Sequence, residues 1–357
     1  MSVFSRFFRP ALALAFGSLL LASCESKNDD VAPTPTNDGN NVFITNEGAF
    51  RSANGSVTYY NEATKALTAD IFQSANSRAL GDVVQSMTVS GSTGYVVVNN
   101  SNKLEVVSLP AFTSVATISS LTQPRYFLSA SATKGYVTEW LSATAGRVST
   151  INLATNAVTG TLPTGRYPEK PLLVNNLVYV PNSDENTLTV IDATQDRVVN
   201  TITVSDGPSS LVVDNGGFIW VLCGGITRYG GAPNYPVLSS TPGALIRFNP
   251  STPTVQTTYA FAAGSSPSKL RLSPSGLQLY YSLGAGEYRM DVAATSLPIT
   301  PLIRRRFYGF DIDPKNNTLY GCIASFSGAS RTIRYRSDGT AIDSLVTGIG
   351  SNGVAFY

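Results

Sequence analysis

Leu172-Leu173-Val174, Leu177-Val178-Tyr179-Val180, Thr187-Leu188-Thr189-Val190-Ile191-Asp192 and Val198-Val199-Asn200-Thr201-Ile202 are four short β-prone runs in succession, with Pro181-Asn182 as a turn after the second. β-Branched and aromatic residues favour a pleated, packed strand, and Pro and Asn end one. Four such strands in about 40 residues have the length of one propeller blade. Labelled A to D, with A innermost, they set a template for the rest of the chain.

Inner strands of the same kind are expected at residues 86–90, 126–130, 172–174, 211–214, 270–273, 309–313 and 353–357. The last of these ends the sequence with no B, C or D strand after it. Residues 42–45, 56–60 and 67–72 supply those three at the other end. The chain therefore reads as an all-β, seven-bladed propeller over residues 41–357, in which Gly353-Val354-Ala355-Phe356-Tyr357 becomes the inner strand of the first blade. Closure of this kind removes open sheet edges. Six blades and a stray hairpin is the rival reading.

The unit at 172–202 resembles the YVTN or YncE-like propeller repeat, and Tyr136-Val137-Thr138 stands in the same B-strand position. Asn46-Glu47-Gly48-Ala49-Phe50 resembles the opening of propeller lipoproteins of the DUF5074 type. The resemblance covers residues 41–357, best in the fourth blade and more loosely in the last three. It implies a bacterial envelope protein of the Bacteroidetes type. Some relatives of that kind capture cobalamin for a TonB-dependent transporter, but no cobalamin-contacting position can be matched here.

The N-terminus agrees. Arg6 and Arg9 precede an apolar run that ends at Leu21-Ala22-Ser23-Cys24, which resembles the lipobox of bacterial lipoproteins. Residues 1–23 are expected to be a cleaved signal peptide and Cys24 the lipidated first residue. The apolar run is too short for a hydrocarbon core of about 30 Å. Residues 24–40 are polar and carry Pro33, Pro35 and Gly39, the composition of a flexible tether. Asp29-Asp30 is similar to acidic export tags of surface lipoproteins. The expected location is the outer membrane, surface-exposed, with a periplasm-facing position as the alternative.

Composition excludes several classes of function. The chain contains no histidine, which removes the commonest general base and metal ligand and with them streptogramin-lyase-like chemistry. Loss of residues 1–23 takes Arg6 and Arg9 from the 25 basic residues and nothing from the 23 acidic ones, leaving a near-neutral remainder and no nucleic-acid partner. Cys223 and Cys322 fall in B strands of separate blades and read as buried, unbonded structural thiols. Glu139, Asp184, Glu185 and Glu287 lie in or near B–C loops and read as solvated loop acids rather than a catalytic pair. Gly224-Gly225 and Gly230-Gly231 do not lead from a strand into a helix, so no phosphate cradle is expected. Neither cofactor nor metal is implied.

The positive signal lies in the D–A and B–C loops, which share one face. Arg125-Tyr126, Arg166-Tyr167 and Arg306-Phe307-Tyr308 place an arginine beside an aromatic just before an inner strand, and Lys269 stands at the same point of another blade. Arginine offers a planar donor fork, and tyrosine offers stacking area with a hydroxyl. Glu47 and Trp140 join them from B–C loops. Tyr229 lies in the stretch 224–243, which reads as a long structureless loop and therefore as functional. These residues are the expected ligand face, while the opposite turns, such as 214–217 and 313–317, read as plain tight turns. The leading expectation is a non-enzymatic, lipid-anchored module that captures a small molecule or glycan, with an outer-membrane transporter as its partner. A protein-interaction scaffold is the alternative, and a histidine-free enzyme a third class.

Overall fold

The computed structural model describes residues 39–357 apart from Val255, so Cys24, the expected signal peptide and nearly all of the expected tether lie outside the described residues. The described chain forms seven antiparallel blades around an axis. Six have four strands, and the chain ends as expected. Ser351–Phe356 pairs with Asn41–Asn46 (Val42 opposite Phe356, Ile44 opposite Val354), so the first blade is built from both ends of the propeller. Ser351 is buried and donates its hydroxyl to Asn46 Oδ1 at 2.6 Å, which pins that junction.

The B and C strands are apolar on both faces because each blade is covered by a neighbour on each side. Side chains alternate across a strand. In Leu177–Asn182, Tyr179 packs toward the fifth blade with Leu211, Val221 and Phe248, whereas Val178 and Val180 pack toward the third with Tyr136 and Val148. Comparable apolar clusters fill the other junctions, including the closing one of Val42, Ile44, Tyr60, Tyr320 and Leu345. The B-strand tyrosines also tie neighbours together. Tyr136 donates to Asp196 in the outer turn of the next blade, and Tyr320 reaches Glu62 in the same way at 2.5 Å.

Three expectations are corrected. The outer strand of the first blade is only Leu67–Thr68; the chain then enters a helix, Ile71–Asn76. Asp70 caps it by accepting from the Gln73 N–H at 3.0 Å, and Ile71 and Phe72 are buried from the helix rather than from a strand. The sixth blade has three strands, Ser268–Leu272, Gln278–Leu283 and Gly286–Asp291, with a single bridge from Glu287 to Ile303 in place of a fourth. Residues 224–243 are not structureless: Thr227–Tyr229 and Val237–Ser240 pair as a two-stranded hairpin that stands off the fifth blade.

The face bearing the A–B and C–D turns matches its reading. Asp214 accepts from the N–H groups of Gly216 and Phe218, and Asn152 and Asp192 hold their turns by the same short side-chain loop. Cys223 and Cys322 are buried and free. Burial pushes both thiols up, Cys322 to about 12, which removes them as nucleophiles near neutral pH.

Candidate ligand site at the axial channel

The site is made by irregularities in the inner strands. Five of them carry a β-bulge near the D–A end, where one or two residues are left without a partner in the B strand. The bulged residues are Asn352, Gln85, Arg125 and Tyr126, Ser209, and Lys269 and Leu270. A bulge re-aims side chains that a regular strand would pair. Here Asn352, Gln85, Tyr126 and Lys269 all line a cavity of about 310 Å³ on the axis. Backbones also approach closely there: a Cβ at Gly309 would sit 2.4 Å from the Asn352 carbonyl, so only glycine fits.

A second cavity, of about 300 Å³, lies at the mouth and shares Glu47, Gln85 and Tyr308 with the first. Phe50, Arg125 and Phe326 complete its rim. The Tyr308 hydroxyl donates to Glu47 at 3.1 Å and its ring meets Phe326 edge-on at 5.6 Å. Asn352 donates to the same carboxylate oxygen of Glu47 at 3.1 Å. Burial raises Glu47 above the usual carboxylate range, and burial together with Glu47 pushes Tyr308 up to about 12, so the phenol keeps its proton and remains a donor.

Arg125 organises the neighbouring wall. Its guanidinium lies 4.0 Å from the centre of the Trp140 ring, and Trp140 meets Tyr167 at 4.6 Å between ring centres. Arg125 also pairs with Glu169 at 3.2 Å. Trp140 donates its indole N–H to the Pro168 carbonyl at 3.2 Å, which locks the stack. Below it, burial pushes Tyr126 up to about 12.

Residues 40–335 match the family model of a domain of unknown function, DUF5074. The chain belongs to the DUF5074 family. No curated protein matches its sequence. Solved structures similar to this DUF5074 chain include a quinonprotein alcohol dehydrogenase-like protein of Bacteroides thetaiotaomicron, with TM-score 0.65 and 12% identity over 89% of this chain and 78% of that one. A functionally unknown protein of Desulfotomaculum acetoxidans gives TM-score 0.65 and 12% identity over 89% and 98%. The hydrazine synthase of Kuenenia stuttgartiensis gives 0.59 and 15% over 75% and 87%. At these identities the likeness shows the propeller fold alone.

Within this DUF5074 propeller, Glu47, Arg125, Tyr126, Lys269 and Tyr308 gather at the axial cavities, with Trp140 and Tyr167 stacked behind Arg125. Arg166 does not join them. It lines a separate cavity of about 470 Å³ with Asp184, Glu185 and Arg228, where it bonds the Asp184 carbonyl at 2.6 Å and Arg228 binds the Asp184 carboxylate. Tyr229 is 60% exposed on the hairpin. Arg306 is exposed, near enough for its charge to act on Lys269.

Glu139 and Glu287 are not solvated loop acids but fully buried. Both hold D–A loops: Glu139 accepts from the Thr122 N–H and Glu287 from the Phe307 N–H at 3.2 Å. Glu185 does the same for Arg166 N–H at 3.0 Å. Lys170, Arg271, Asp311 and Phe326 are site residues that the sequence reading did not single out. Lys170 follows Arg166-Tyr167 by three residues, among other polar residues of the same loop. The bulges that aim the rest have no sequence signature. Among the described residues no group of Cys, Asp and Glu side chains could hold a metal ion, and no helix is long and apolar enough to cross a membrane.

Proposed function

We propose that this protein is a non-enzymatic binding module, anchored by lipid on Cys24 at the outer-membrane surface, that captures a small molecule or glycan at the axial mouth and passes it to an outer-membrane transporter. The observation that carries this reading is the pair of connected cavities lined by Tyr308, Phe326, Phe50 and Arg125, with the Trp140 and Tyr167 rings in contact behind Arg125. A concave site with aromatic walls and a few fixed polar groups suits ligand capture. Its acids are engaged by protein partners, Glu47 by Tyr308 and Asn352, and Asp311 by Arg271 and the Val354 N–H. That arrangement favours holding a ligand over acid–base turnover.

Tryptophan fluorescence tests it. Trp220 is fully buried elsewhere, so the response comes from Trp140 beside the mouth. Cyanocobalamin in equilibrium dialysis and an oligosaccharide panel in fluorescence are the probes. Binding to at least one is expected, with Arg125→Ala and Tyr167→Ala each weakening it by about tenfold or more. Absence of binding to every probe counts against capture. Cys24→Ser should move the protein from the membrane to the soluble fraction.

One observation favours the scaffold alternative. Tyr229, Tyr235, Val237 and Leu238 are all exposed on the blade-five hairpin, an apolar tip of the kind found at protein contacts. Serine at these four positions should abolish transporter association, leaving dialysis unchanged, if the hairpin rather than the mouth meets the partner.

A further inference from the structure

We infer that the axial channel beneath the mouth is a binding site for a small organic or inorganic dianion, held between the ammonium groups of Lys170 and Lys269. This goes beyond capture at the mouth, and the channel can take such a ligand even if the aromatic rim binds nothing.

The inference stands on charge and enclosure. Lys170 comes from the loop entering the fourth blade and Lys269 from the inner bulge of the sixth, and both line the 310 Å³ cavity with Arg271. Arg271 is taken by Asp311, whose other oxygen accepts from the Val354 N–H at 2.9 Å. Glu47, the remaining acid of the cavity, is held by Tyr308 and Asn352. Neither lysine has a carboxylate within ion-pair distance among the described residues. The one bond that Lys269 makes is to the hydroxyl of its neighbour Ser268, at 3.4 Å. The propeller thus gathers three cations and satisfies one of them.

Enclosure gives the arrangement its meaning. Lys170 faces the water of the channel yet is surrounded by protein, so its side chain is open without being at the outer surface. Removal from bulk water and the nearby Arg271 charge hold Lys170 below the usual lysine range; removal from water does the same for Lys269, aided by Arg306. Glu287 and Asp311 act on these lysines only from beyond ion-pair distance; an enclosed cation with no carboxylate in contact is costly, and it is retained where a ligand supplies the contact charge. The cavity has room for a few-carbon dicarboxylate or a phosphate.

The test uses the propeller chain and two probes, succinate and inorganic phosphate, with acetate as a monoanion control at constant ionic strength. Thermal unfolding reads binding, because a ligand that prefers the folded state raises the midpoint in proportion to the logarithm of its excess over Kd. At about 10 mM, succinate or phosphate is expected to raise the midpoint more than acetate does. Response to succinate alone assigns a dicarboxylate, to phosphate alone a phosphate compound, and either supports the site. Lys170→Gln and Lys269→Gln should each weaken the response by about tenfold or more, with an unliganded midpoint at or above wild type, since an unpartnered charge has been removed. Lys269→Arg keeps the charge and should keep the response, which guards against a folding defect. Equal response to acetate, no response to either dianion, or an undiminished response in the folded glutamine variants overturns the inference. Trp140 fluorescence reads the mouth separately, so a silent mouth and a responsive channel are distinguishable.

Discussion

Blades two and six each bury a glutamate completely, and the two are treated in opposite ways. Glu105 in blade two receives Arg78, Lys103 at 2.8 Å, Ser114 and Thr117 at 3.2 Å. Burial alone would raise it, but hydrogen bonds from Arg78, Lys103 and Ser114 outweigh burial and leave it below the usual range. Glu287 in blade six has only the Ser282 hydroxyl at 2.7 Å and the Phe307 N–H, and burial pushes it up to about 6. Blade two has four strands and pairs its buried acid. Blade six has three, leaves Lys269 without a carboxylate at ion-pair distance, and faces the channel with Lys269 and Arg271. The difference teaches where this fold spends its polar groups. Away from the axis they satisfy one another, and beside it Lys170 and Lys269 are left without a contact ion pair.

The largest effect is expected where compensation is complete. Glu105→Ala strands Arg78, Lys103 and two hydroxyls around an emptied site. Breaking a buried pair from one side costs about 3–5 kcal/mol, and the partial exposure of Arg78 places this case at the lower end, about 3 kcal/mol. The sign with pH follows from the lowered folded value. Glu105 contributes stability above its unfolded value near 4.5, and loses it as pH falls through the folded value. Urea unfolding at pH 7 and at pH 4 checks both statements. An unchanged midpoint at pH 7 would break the comparison outright.

Glu287→Gln should act in the other direction. The amide oxygen can still accept from Phe307 and the NH₂ can donate to Ser282, while the desolvated charge is gone. With the folded value near 6 and the unfolded one at 4.5, the native carboxyl takes up its proton first as pH falls. Its contribution is therefore fully present below 4.5 and lost as pH rises through about 6. At 1.36 kcal/mol per unit, the loss by pH 7 is about 2 kcal/mol. The glutamine variant should recover up to that amount at pH 7 and flatten the stability curve between pH 4.5 and 6. A lower midpoint at pH 7 would mean that attraction to Lys269 and Arg306 outweighs desolvation.

Blade two and blade six also differ in how far sequence discloses them. Tyr95 and Val97 in one strand and Leu104 and Val106 in the next alternate toward the same neighbour, with Asn and Gly at the turns, so the strands of blade two are announced, and the C-terminal closure follows from counting inner strands. The outer strand expected at 67–72 failed because Leu67, Ile71 and Phe72 fit a strand or a helix equally, although Asp70 with Gln73 three residues on carries a cap signal. Blade six lacks a recognisable outer strand because none is there. The site was legible as a face and as Arg–aromatic pairs. Which members meet was not, because bulges at Gln85, Arg125–Tyr126 and Lys269–Leu270 decide it, and a bulge is a property of two paired strands rather than of one. Arg166 and Arg125 stand in similar loops, yet Asp184 draws the first away.

The smallest effect sharpens the same contrast at the backbone. Both blades hold a non-glycine residue in the left-handed region near the inner bulge, Val83 at φ +57° and Lys269 at φ +59°. Each position is strained by about 1–2 kcal/mol relative to glycine, offset in part by the greater freedom glycine loses on folding. Val83→Gly removes strain and a partly buried side chain, with no charge involved, so its net change should lie within about 1 kcal/mol of zero. Lys269→Gly removes strain and an unpartnered ammonium together. It should stabilise by about 1 kcal/mol or more without added anion, and it should do so more than Val83→Gly. If Lys269→Gly is instead destabilising, the ammonium is held by protein contacts in the folded state, and blade six is as self-satisfied as blade two.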